Sequence, residues 1–154
     1  MSIAAIISKT DLARRTHHVL EQARRGRTMI VESYGEEQVA ILDILDYRVL
    51  RAVAAYHAMP SHAAPISDRS MIPRGLDLAE IQEAIRATDG DPQAGWNRVL
   101  AAYLDADVSL GRAAELLGLS RFELADRFQR LGLPLQIGPA TAQEARAEFA
   151  AFGR

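Results

Sequence analysis

The chain contains no cysteine among its 154 residues. That excludes disulfides, thiolate metal sites and thiol nucleophiles, and it suits a reducing cytosol, so a cytoplasmic protein is expected. No apolar run approaches the roughly eighteen residues of a membrane span, and the first residues lack the basic-then-apolar layout of a signal peptide. Catalytic signatures are missing as well. There is no glycine-rich phosphate loop, nucleophile elbow, HExxH or paired His/Asp constellation. The carboxylate pairs Glu36/Glu37 and Asp105/Asp107 fall in predicted turns and read as solvated. His17-His18 has no further ligand at a metal-binding spacing and reads as surface. The chain is therefore expected not to be an enzyme, with no catalytic residue, metal or cofactor.

A general basic excess is also lacking, because the net charge is only −2. Its distribution is uneven. Residues 1–27 carry Lys9, Arg14, Arg15, Arg24, Arg25 and Arg27 against only Asp11 and Glu21, a local excess of four positive charges. With 49% apolar and 25% charged residues, the chain fits one ordinary globular domain or two small ones.

Ala4–Ile7 is a short apolar run that predicts a strand. Ser8-Lys9-Thr10-Asp11 can cap the helix that follows, which is expected to continue to about Arg25 and stop at Gly26. At about 100° per residue, Leu12, Thr16, Val19, Leu20 and Ala23 gather on one side. Arg14, Arg15, His18, Gln22 and Arg25 share an arc of roughly 100° on the other. Thr28–Ser33 predicts a strand, Tyr34–Glu37 a turn, and Gln38–Leu42 the returning strand. Asp43 to about Ala58 predicts a helix with Leu45, Val49, Ala52, Val53 and Tyr56 on its apolar side. Residues 59–76 hold Pro60, Pro65, Pro73 and Gly75 and read as a linker or irregular segment.

Residues 77–154 read as almost all helix. The predicted helices are Asp77–Thr88, Ala94 to about Asp105 with Trp96 and Tyr103 in its core, and Thr141 to about Phe152. Asp89-Gly90-Asp91-Pro92 separates the first two. Between residues 109 and 131 lies a helix-turn-helix layout. Small Ala114 permits close approach, Gly118 makes the turn, Leu119 fills the angle and Ser120 caps the second helix. The fold class expected is α+β: an N-terminal βαββα module over 1–58, then a mostly helical module with an arm at 134–152.

A βαββα unit this small has little interior of its own, and dimerisation is the ordinary remedy. A dimer would offer two basic helices to the half-sites of a DNA palindrome. The DNA-binding residues expected are Lys9, Thr10, Arg14, Arg15, His18 and Arg25, near a helix start whose N–H groups also attract phosphate. The run Ile6–Arg15, then Val19-Leu20, Gly26–Val31, Tyr34-Gly35, Gln38–Leu42 and Asp46–Leu50, resembles the Phd/YefM antitoxin family. The resemblance implies a dimer that binds its own operator through this module and neutralises a toxin with more C-terminal sequence. It also places Arg14 where the operator-touching arginine is expected. Glu32, Glu36 and Glu37 stand where such proteins commonly offer a basic hairpin turn, so the burden falls on the first helix.

The C-terminal motif resembles the Fis-type helix-turn-helix. Val108–Ala114 with Leu133-Pro134-Leu135 is similar to a family of small prokaryotic helix-turn-helix proteins, antitoxin-like and often encoded beside PIN-domain ribonuclease toxins. Its second helix is expected to expose Arg121, Arg127 and Arg130, but Glu123 and Asp126 repel phosphate. Arg112, Ser120, Arg121 and Arg127 are therefore read as a second contact with DNA or with a protein partner, the latter favoured. Leu135, Ile137, Phe149 and Phe152 are read as the toxin-binding arm, since short amphipathic elements dock into grooves. Two functions follow: an antitoxin and autorepressor whose partners are operator DNA, a second copy and a toxin such as a PIN-domain ribonuclease, or a free-standing transcription regulator without a toxin.

Overall fold

The computed structural model describes residues 4–60 and 75–135. In chain order the elements are β1 (Ala5–Ser8), α1 (Lys9–Arg14), α2 (Thr16–Arg24), β2 (Met29–Ser33), β3 (Glu36–Ile41), α3 (Ile44–His57), α4 (Leu78–Arg86), α5 (Pro92–Leu104), α6 (Leu110–Leu116) and α7 (Arg121–Arg130). The protein is α+β, with a small three-stranded sheet and seven helices among the described residues. None of these helices is long and apolar enough to cross a membrane.

The sheet runs in the order β1-β2-β3. β1 pairs parallel to β2, Ala5 opposite Met29 and Ser8 opposite Glu32, with α1 and α2 forming the crossover. β2 pairs antiparallel to β3 through a two-residue turn at Tyr34 and Gly35, whose φ values of 56° and 77° suit a right-twisted hairpin. The turn is thus shorter than the sequence suggests. Glu36 and Glu37 belong to β3 and pair with Ser33 and Glu32. Val31 faces Val39 and Glu32 faces Glu37, so Gln38 is a bulge residue. Met29 and Val31 are buried together with Val19 and Ala23 of the contacting α2, while β3 is exposed along nearly its whole length.

The first helix is not continuous. α1 and α2 part at Arg15, whose φ of −126° and ψ of 32° leave the helical region. The Thr16 hydroxyl donates to the Leu12 carbonyl at 2.8 Å, using the acceptor that the Thr16 N–H would take in an unbroken helix. α2 then ends as expected at Gly26, which has φ of 88°. Gly26 N–H donates to the Ala23 carbonyl and Arg27 N–H to the Gln22 carbonyl, the paired bonds of a glycine-terminated helix.

One buried cluster holds α3 to α7 together. Val49 and Ala52 of α3 lie in it with Ile81, Trp96, Val99, Leu100, Tyr103, Ala113, Ala114, Leu124 and Phe128. Leu45 and Val53 pack against its edge, and Leu135 does so after α7. α3 therefore carries its apolar side into the helical half, and the core crosses the proline-rich stretch at which the sequence divides. α5 starts earlier than its apolar pattern suggests, because Asp91 caps it and Pro92 occupies its first turn.

Candidate nucleic-acid interface

Ser8 caps α1 as the sequence predicts. Its Oγ accepts from Asp11 N–H at 3.0 Å and also lies 3.0 Å from an Asp11 carboxylate oxygen, to which it donates. α1 has only six residues, so its dipole is small, and attraction for phosphate rests on side chains. Lys9, Thr10, Arg14, Arg15, His18 and Arg25 are all exposed. No ion pair ties Lys9, Arg14, Arg15 or Arg25 to an acidic group among the described residues, whereas Arg24 pairs with Glu21 at 3.3 Å. The break at Arg15 changes the expected geometry. Lys9, Thr10 and Arg14 sit on α1, Arg15 at the joint, His18 on α2 and Arg25 at its C-cap, so a single helical phase does not link them.

The helix-turn-helix departs further from expectation. Gly118 makes the turn with φ of 72°, and Ser120 caps α7 by accepting from Glu123 N–H while Glu123 accepts from Ser120 N–H at 2.7 Å. That backbone bond, with a smaller contribution from the Ser120 side chain, holds the Glu123 carboxyl below the usual glutamate range. The outward residues of α7 are Phe122, 83% exposed, with Glu123, Asp126 and Gln129. Arg127 and Arg130, expected on the surface, turn inward instead. Arg127 donates to Asp43 at 2.7 Å and Asp46 at 2.6 Å. Arg130 donates to both carboxylate oxygens of Asp46, at 2.9 and 3.1 Å, and pairs with Asp126. The Asp46 side chain is only 3% exposed, which is tenable because two guanidinium groups satisfy it.

Of the other residues read as a second contact, Arg112 is half-buried, pairs with Glu115 at 2.9 Å and donates to the Leu76 carbonyl. Arg121 is half-buried and Ser120 serves as the cap. Leu135 is half-buried against the core, while Ile137, Phe149 and Phe152 lie outside the described residues. The Asp43/Asp46/Arg127/Arg130 cluster was not anticipated. Its signal was present: Asp46 stands one turn before buried Val49, and Arg127 one turn after buried Leu124, so spacing puts both on apolar faces.

Among the described residues no group of three or more His, Asp or Glu side chains is arranged to hold a metal ion. Compared with protein-family models, curated proteins and solved structures, the chain matches none.

Proposed function

We propose that this protein is an antitoxin of a two-protein toxin–antitoxin pair, binding its operator as a dimer and holding a protein toxin, for which a PIN-domain ribonuclease is the leading class. The observation that carries the DNA-binding part is the set of exposed cations on α1, α2 and their joint, beside a small three-stranded sheet. Such groups neutralise phosphates and release counterions, and arginine also reads guanine. The dimer has separate support. The sheet unit leaves Ile6, Leu20, Val39, Ile44 and Tyr47 exposed at 42–58%, apolar side chains that a second copy would cover.

The second reading, a regulator with both halves on DNA, loses support from the inward turn of Arg127 and Arg130 and the acidic outward side of α7. Protein contact suits that side better.

Two measurements test the proposal. Arg14→Ala/Arg15→Ala should weaken binding to the DNA upstream of the gene by at least about tenfold and lower the salt slope by about two. Wild-type affinity and slope in the double variant would remove the basic helices from the interface. Co-expression with the product of the neighbouring gene should yield a stable complex and relieve its toxicity. A neighbour that neither binds nor is toxic would leave a DNA-binding regulator and no antitoxin.

A further inference from the structure

Arg130 reaches beyond Asp46 to the end of α2. A Cβ built on Gly26 would lie 2.5 Å from Arg130 Cζ and Nη1 and 2.8 Å from Nε. The guanidinium therefore lies flat against the one residue at which α2 turns into the segment leading to β2. Gly26 is needed there twice, for its positive φ and for this approach. Asp46 orients the same guanidinium from α3 through two oxygens, and Arg127 also donates to one of them, Asp46 Oδ1. A planar, fork-shaped cation held at both edges is a rigid spacer, which a flexible ammonium would not be. Arg25, exposed and read above as a DNA contact, directly precedes Gly26.

We infer that Arg130, oriented by Asp46, is a positioning residue for DNA recognition: it fixes the C-terminal end of α2 against α3 and α7 and so sets where Arg25 and His18 stand relative to DNA. The inference rests on the DNA-binding reading above. It assigns α7 a role in DNA binding without contact with DNA. Base contacts need positions fixed to within fractions of an ångström, whereas phosphate attraction tolerates disorder, so loss of the spacer should affect sequence preference rather than general affinity.

The test compares the full-length wild type with Arg130→Gln on two duplexes of equal length, one from upstream of the gene and one unrelated. Arg130→Gln keeps Asp46 paired with Arg127, so folding is expected to survive, with circular dichroism as the check. Gly26→Ala disturbs the same contact from the other side. Both variants should bind the upstream duplex about tenfold more weakly while keeping wild-type affinity for the unrelated one. Amide exchange at Gly26 and Arg27 in Arg130→Gln should quicken. Unchanged affinity for both duplexes in the folded variants would overturn the positioning role and leave the DNA reading intact. An equal fall on both duplexes would also overturn it, because Arg130 would then act by charge. A wild type with no preference for the upstream duplex would remove the DNA reading and this inference with it.

Discussion

Asp46 ties α3 to α7 through two arginines. Its carboxylate is almost fully buried and accepts from Arg127 at 2.6 Å and Arg130 at 2.9 Å. Removing one partner from a buried ionic group strands the others without water, typically at about 3–5 kcal/mol. Asp46→Ala is therefore expected to lower the unfolding free energy by an amount in that range, read as a lower urea midpoint with the slope unchanged. The triple replacement Asp46→Leu/Arg127→Met/Arg130→Met should recover part of the loss, since an apolar set of similar volume removes three buried charges and leaves Asp43 with its bond to Leu45 N–H as the cap of α3. A triple variant no more stable than Asp46→Ala would show that geometry, not charge burial, sets the cost. Phe128 offers a contrast without charge. It is fully buried, edge-on to Tyr103 at 5.5 Å between ring centres, and Phe128→Ala should cost about 3–5 kcal/mol by leaving a cavity.

At the scale of the element, α7 shows what its own sequence decides and what its neighbours decide. Ser120 and Glu123 form a reciprocal cap that four consecutive residues suffice to encode. Ser120→Ala should destabilise the protein by about 0.5–2 kcal/mol. The cap also carries a pH dependence. The Glu123 pKa is lowered on folding, chiefly by the Ser120 backbone N–H. Its stabilisation is therefore fully present above the ordinary glutamate value and is lost as pH falls through the lowered one. Glu123→Gln should flatten the stability profile in that acid window and leave its shape at neutral pH unchanged, as denaturant midpoints taken across the window would show. The same local logic made much of the fold legible: the Ser8 cap, the positive-φ stops at Gly26 and Gly118, the hairpin at Tyr34-Gly35, and the apolar side of α3. It failed where a competing bond or a distant partner decides. The helix parts at Arg15, where the Thr16 hydroxyl takes the Leu12 carbonyl, and that removes the common phase expected of the basic stripe. Arg127 and Arg130 read as surface cations because their partners, Asp43 and Asp46, lie more than eighty residues away in sequence. The cations of α1 and α2 are exposed as the sequence suggests, since nothing remote claims them among the described residues, but their common phase is lost at Arg15.

For the whole molecule, the decisive fact is that α3 belongs to two neighbourhoods. It follows the hairpin directly in the chain, yet Val49 and Ala52 are fully buried in the cluster built by α5, α6 and α7. Among the described residues the sheet unit keeps only Val19, Ala23, Met29 and Val31 as buried apolar residues apart from that cluster. Four such side chains, one of them an alanine, cannot offset the ordering entropy of more than fifty residues. The chain division near residue 59 is therefore not expected to be a division of stability. A fragment comprising residues 1–58 would expose the inner side of α3, leave Asp46 without both arginines, and remove Arg130 from Gly26. It should lack a cooperative thermal transition. In the full chain, the sole tryptophan, Trp96, reports on the helical core, and amide exchange along β2 reports on the sheet. Equal free energies of opening from the two probes are expected if one cooperative unit spans the molecule. A sheet that opens at much lower free energy than Trp96 loses its packing would mean that the arginine cluster joins two independently stable bodies. In that event the sheet unit would withstand loss of the helical half, and the 1–58 fragment should fold once dimerised.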